Sequence, residues 1–241
     1  MELDRRAIKL EARNRMREHR PSVFLIALVF IAVIYILDSL GTRLQFPGVS
    51  LQELREAVFH QDPVQLLRIM SRRNAVSELL VFALSVMSSV VSAGFAGVCL
   101  SVSRRQETGV AELFDTFGIF FKVFWLSVVT GVFIFLWSLL LVIPGIIAAY
   151  RYSMALFVLL DDPDKSVLQC IRESGALTRG HKWELFVLDL SFLGWDLLSM
   201  IPLVRIYTEP YMTLTRAMYY NALSGYRPEE VWAAENEYRH W

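Results

Sequence analysis

The fold is decided by the stretch from Ile119 to Leu160, IFFKVFWLSVVTGVFIFLWSLLLVIPGIIAAYRYSMALFVLL. Its 42 residues contain two charges, Lys122 and Arg151. A helix that crosses a bilayer needs about 20 mainly apolar residues, because each contributes 1.5 Å to a hydrocarbon core of about 30 Å. Taken as one helix, the stretch would be about 60 Å long, twice that thickness. Pro144-Gly145 interrupts it. Proline removes a backbone donor and disfavours helix before itself, and glycine permits a tight reversal. The reading is therefore a hairpin of two spans, 119–143 and 145–160, with the second short enough to leave a re-entrant loop as the minority alternative.

Working outward, comparable runs occur at 23–40, 79–101 and 184–204. A less apolar one at 206–223 carries Glu209 and Arg216. The chain is 55% hydrophobic and 20% charged, more apolar and less charged than soluble domains, which argues against an ordinary soluble enzyme. The 24 Lys and Arg match 24 Asp and Glu, so there is no basic surplus for a nucleic-acid backbone. The expected fold is all-α: a polytopic transmembrane helical bundle of about six spans with a Pro-Gly hairpin between spans three and four, plus interfacial amphipathic helices. The expected organisation is an interfacial basic helix at 1–20, the bundle at 21–224 with an outer loop at 41–75, and a tail at 225–241.

Charge placement orients the bundle. In a six-span arrangement, sixteen of the 24 basic residues fall on the side of the N-terminus, and Arg43, Arg55, Arg68, Arg72, Arg73 and Arg205 fall opposite. Both termini are thus expected in the cytoplasm of a bacterial cell, with the protein multi-pass in its cell membrane. The N-terminus lacks the short basic region and cleavage site of a signal peptide. Capping-box patterns predict short helices between the spans: Ser50 to Glu53 opens one at about 51–60, Asp62-Pro63 another at 63–73, and Ser166 to Gln169 one ending before Gly180. Residues 110–117 read as an interfacial helix.

Few residues suggest chemistry. Cys99 and Cys170 form no CxxC, and none of His19, His60, His181 and His240 has a second histidine or a cysteine at helical spacing. Nucleotide, metalloprotease and hydrolase motifs are absent. No cofactor, metal site or enzymatic activity is expected. Ionisable residues inside apolar runs are costly unless paired or hydrated, and so are functional candidates by default. Here they are Arg151, Asp189, Asp196, Glu209 and Arg216. Asp189 and Asp196 are seven apart, hence on nearly one face, and either could pair with Arg216 or Arg151. Span two carries a small-residue ladder, Ser85, Ser89, Ala93, Gly97, of the kind that lets helix backbones approach. Packing within the bundle is the first reading of this ladder, and a homo-oligomer interface is the second.

Several motifs then resemble one family. They are Leu3-Asp4-Arg5-Arg6-Ala7; Glu112 to Phe117 (ELFDTF); Ile143-Pro144-Gly145-Ile146 followed by Tyr150 to Ala155 (YRYSMA); and Gly180 to Phe186 (GHKWELF) with Leu190 to Trp195 (LSFLGW). Together they resemble the bacterial integral-membrane family called domain of unknown function 975. The resemblance implies a membrane bundle and no known activity. The functional expectation is a non-enzymatic membrane scaffold or regulator whose partners are the lipid bilayer, a second copy through span two, or another membrane protein. Nucleic acid is not a partner. The alternative is a transporter or lipid-handling permease using a polar face of spans four to six.

Overall fold

The computed structural model describes residues 5–18, 22–45, 74–199 and 201–226, and the single positions Gln52, Arg55, Phe59 and Val64. The helices predicted at 51–60 and 63–73 and the tail beyond 226 lie outside the described residues. Within them the chain is all-helical, with no strand. The helices are α1 (Arg5–Glu18), α2 (Ser22–Gln45), α3 (Ala75–Ser103), α4 (Phe120–Leu140), α5 (Val142–Tyr152), α6 (Ala155–Asp161), α7 (Val167–Leu177), α8 (Lys182–Leu190), α9 (Leu193–Leu198) and α10 (Pro202–Ser224). Residues 110–117, expected to form an interfacial helix, fall in a 3-10 segment, Val110–Ile119, leading into α4.

Four segments are long and apolar enough to cross a membrane: Val23–Gln45, Ala75–Ser103, Val110–Leu140 and Val142–Asp161. Their surfaces are correspondingly apolar. Phe135, Leu136, Trp137, Leu139, Leu140, Leu141, Val142 and Ile143 are all exposed. A contiguous patch of this kind is rare on a soluble monomer, whereas lipid is a suitable neighbour for it.

The break in the long apolar stretch falls at Leu141, three residues before Pro144. Leu141 is extended (φ −165°, ψ 150°) between the end of α4 and the start of α5. Proline therefore sits in the first turn of α5, where its missing donor costs nothing. The chain then folds back along itself. Phe133 and Tyr152 rings are 5.9 Å apart, although a continuous helix would separate them by about 28 Å. Further along, Lys122 donates to the Pro163 carbonyl. Close packing near the turn depends on Gly145, where a Cβ would lie 2.9 Å from both Cα and Cβ of Ser138.

The predicted fifth span, 184–204, is divided in the structure. α8 ends at Leu190, α9 covers six residues, and Ile201 precedes the proline that opens α10. The predicted sixth span is α10, and its course differs from that of α2 and α3. Phe30 of α2 stacks on Phe95 of α3 at 4.3 Å, which sets these antiparallel helices in register and brings Phe24 and Ser103 to the same end. Tyr207 of α10 stacks on Phe24 (6.3 Å), while Asn221 of α10 donates to Ser103 Oγ (2.7 Å). Tyr207 and Asn221 are about 21 Å apart along their own helix. α10 therefore crosses the end of the α2–α3 pair instead of running beside it. Composition explains the burial of such a helix: Thr208, Thr215, Ala217, Tyr219 and Tyr220 are all buried, and Thr215 returns its hydroxyl to the Tyr211 carbonyl at 2.6 Å. α8 and α9 run alongside α10 in the opposite sense, with Asp189 beside Arg216, Phe192 beside Tyr211 and Trp195 beside Tyr207. α1 also packs against α10. Its Lys9 lies 4.7 Å from the centre of the Phe192 ring.

Candidate polar site at one end of the bundle

The end crossed by α10 gathers the described side-chain pairs that join residues distant in sequence. The first arises from a helix terminus. α3 stops at Arg104, where Arg105 takes a left-handed conformation (φ 62°) and Gln106 donates back to the Ser101 carbonyl. This termination points the Arg104 side chain across the bundle end. Its guanidinium pairs with Asp161 at the end of α6, donates to Asn221 Oδ1 (3.2 Å) and stacks over the Tyr226 ring at 4.3 Å. Tyr220 donates to the other Asp161 oxygen at 2.8 Å. Three segments far apart in sequence are thus joined through one carboxylate and one guanidinium. None of these residues stood out in the sequence, because each lies at the edge of an apolar run where charge is expected.

A second group forms on α8. Tyr219 donates to Glu184 Oε2 at 2.6 Å, and His181 Nδ1 lies 3.2 Å from the same oxygen. A third joins Arg216 to Asp189 at 2.9 Å, with the Tyr150 hydroxyl beside the same carboxylate. Of the pairings open to the two aspartates, the structure shows this one. Asp196 lies exposed on α9 and its side chain meets neither arginine. Glu209 pairs with Arg205 on its own helix at 3.5 Å. The five ionisable candidates therefore divide among separate places and do not form one cluster.

Arg151 goes elsewhere again. Its carbonyl accepts from Ser174 Oγ (2.8 Å) and Thr178 Oγ1 (3.3 Å), which fasten α5 to α7. α7 is opened by the reciprocal cap predicted at Ser166, whose N–H donates to Gln169 Oε1 at 2.8 Å. It is closed by Gly180 at φ 90°, a conformation that favours glycine. The Arg151 side chain lies across Gly175, where a Cβ would come 2.9 Å from its Nε. With Arg172, Ala176, Arg179 and Lys182 it bounds a cavity of about 250 Å³. Neither aspartate is in that wall. Nearby, Lys165 is held by Glu173 at 2.9 Å, and this bond pushes the ammonium above its usual range. Burial pushes the Cys170 thiol up, which makes it a poor nucleophile.

The small-residue ladder of α3 is split by the packing. Ser85 and Ser89 are exposed, Ala93 is buried, and Gly97 has room for a Cβ, with Leu160 Cδ2 at 3.7 Å. The close backbone approach occurs at Gly94, outside the ladder. A Cβ there would run into the Leu113 carbonyl of the 3-10 segment, with the carbonyl carbon at 2.9 Å. Among the described residues no group of three or more His, Cys, Asp or Glu could hold a metal.

The structured end from Ser138 onward contains the Asp161, Glu184 and Asp189 groups and the Arg151 cavity. Residues 138–227 match the family described as Protein of unknown function (DUF975). The match supports the resemblance read from the sequence, and the DUF975 stretch takes in α5 to α10 with the Asp161, Glu184, Asp189 and Arg151 groups, but not Arg104 or the α3 ladder. The family's description assigns no activity. No curated protein and no solved structure matches the chain.

Proposed function

We propose that the chain is a multi-pass membrane protein that works without catalysis, as a scaffold or regulator within the bilayer of a bacterial cell. What supports this is the use of its charge. Arg104 with Asp161, Arg216 with Asp189 and Tyr219 with Glu184 each join two elements. Partly buried polar groups that bond one another fix an arrangement, and no wall of the Arg151 cavity brings a candidate acid to a candidate base. In this reading α2, α3, α4 and the α5–α6 segment cross the membrane. α7 to α10 and α1 form a layer at the inner interface, and both termini face the cytoplasm. Four crossings serve the charge pattern better than six, since Arg205 and Arg216 then join the basic residues inside.

The test is extraction of native membranes in a mild detergent, followed by sizing of the solubilised protein. A scaffold runs as a discrete assembly larger than the monomer with its detergent, and Asp196→Asn leaves that assembly intact. A monomer in both native and reconstituted membranes counts against the scaffold reading. The lipid-handling alternative is favoured by one observation, the cationic cavity beside exposed apolar helix.

A further inference from the structure

We infer that the cavity bounded by Arg151, Arg172, Arg179 and Lys182 is a binding site for a phosphate-type oxyanion. Its wall consists of these four cations and two small residues, Gly175 and Ala176, with no acid. Among the described residues the ion pairs engage Arg15, Arg104, Lys165, His181, Arg205 and Arg216. Among the described residues the four cavity cations have no carboxylate partner. Like charges repel, so a fold that converges four of them without a counter-charge is completed by an anion.

The convergence is built into the backbone. Ser174 and Thr178 tie the end of α5 to α7, so Arg151 cannot withdraw from Arg172. Gly175 lacks the Cβ that would displace the Arg151 guanidinium. Gly180, in the left-handed region, turns the chain so that Arg179 and Lys182 face the same space from either side of it. Three guanidinium groups suit phosphate because their planar forks bind two oxygens at once. At about 250 Å³ the space takes a tetrahedral oxyanion and a few waters, given about 30 Å³ for each water.

The oxyanion has two chemical sources, a phospholipid headgroup and a free phosphate. The surroundings suit a headgroup. Ile143 and Ile147 are exposed and precede Arg151 at four-residue spacing on α5, an apolar track leading away from the cations. Trp183, 71% exposed, stands next to Lys182, and tryptophan is enriched at headgroup depth. Anionic lipid with arginine and lysine is a common pairing at the inner leaflet. The oxyanion chemistry is independent of the scaffold reading; its lipid source rests on the membrane reading.

The test is thermal unfolding of the purified full chain in non-ionic detergent, followed by circular dichroism. Sodium phosphate is compared with sodium chloride at equal ionic strength, and micelles doped with phosphatidylglycerol with micelles doped with phosphatidylcholine. The wild type is expected to gain about 5 °C at saturating ligand, and Arg172→Gln/Arg179→Gln/Lys182→Gln to gain none. A gain with phosphatidylglycerol alone identifies a headgroup, and a gain with phosphate identifies a soluble anion. No gain in the wild type, or an equal gain in the variant, overturns the site. Should the triple variant not fold, the exposed single change Arg179→Gln is expected to cut apparent affinity about tenfold, while Arg43→Gln leaves it unchanged. Normal affinity in Arg179→Gln then overturns the proposal. Because every arm reads thermal stability with and without ligand and not assembly size, failure here is separate from failure of the sizing experiment.

Discussion

Gly94 and Leu113 meet backbone to backbone: the α-carbon of the first lies where any side chain would collide with the carbonyl of the second. The neighbour is main chain, so it cannot swing aside. Gly94→Ala is expected to destabilise the protein by about 3 kcal/mol, at or beyond the upper end of ordinary overpacking. Gly97→Ala is expected to stay within about 0.5 kcal/mol, because its new methyl would meet only Leu160 at contact distance. Thermal midpoints in one detergent separate the two, and equal midpoints would refute the assigned packing of the 3-10 segment.

Asp161 is the acceptor on which Arg104 and Tyr220 converge. The Arg104 side chain is only 14% exposed, so removing its partner leaves a charge with little water. Asp161→Ala is expected to cost about 2–3 kcal/mol. A double-mutant cycle with Tyr220→Phe measures the coupling, expected at about 1 kcal/mol; strict additivity would show that the two contacts act independently.

Lys165 predicts a signature at alkaline pH. Its hydrogen bond to Glu173 raises its folded pKa above the ordinary lysine value of 10.5. A raised pKa contributes stability that is fully present below the unfolded value and is lost as pH rises through the folded one. The stability difference between wild type and Lys165→Met should therefore be flat from pH 7 to about 10 and shrink above it. Glu173 is 40% exposed, so the difference is small, below about 1 kcal/mol. A difference that grows with alkaline pH would contradict the assignment.

Topology is decided at Leu203, which is 80% exposed in the first turn of α10. Four crossings place it in the cytoplasm, and six place it outside. In a background with Cys99→Ala and Cys170→Ala, Leu203→Cys is expected to resist a membrane-impermeant maleimide in intact cells and to react once the cells are opened. Labelling from outside would support six crossings and refute the four-crossing reading.

The spans around α2, α3 and α4 could be read from sequence because their apolar runs are long enough that only lipid-length helices use them. The region after Lys182 could not. A run that packs across other helices and one that crosses a bilayer can share a composition, and the contacts of Tyr207 and Asn221 with a single end of the α2–α3 pair set the course of α10 alone. The ladder pointed to α3 as a packing helix but missed the tight position, because spacing on one helix does not say which neighbour arrives or at what height. The candidate acids Asp189 and Asp196 looked equivalent at seven residues apart. The turn at Ser191-Phe192 removes that equivalence by ending α8 before α9 begins. Arg151 was singled out for lying in an apolar run; its company of Arg172, Arg179 and Lys182 depends on how α7 folds back, which composition does not encode.

Ser174 spans the gap between α5 and α6. Its hydroxyl donates to the last turn of α5 at Arg151, and its oxygen accepts the Met154 N–H that opens α6 at 3.2 Å. One side chain from α7 thus serves as the pin through a broken span. α7 cannot be lifted without uncapping both of those helices. A load placed on the cationic cavity is borne at once by the joint between α5 and α6, and through α5 by the turn at Leu141.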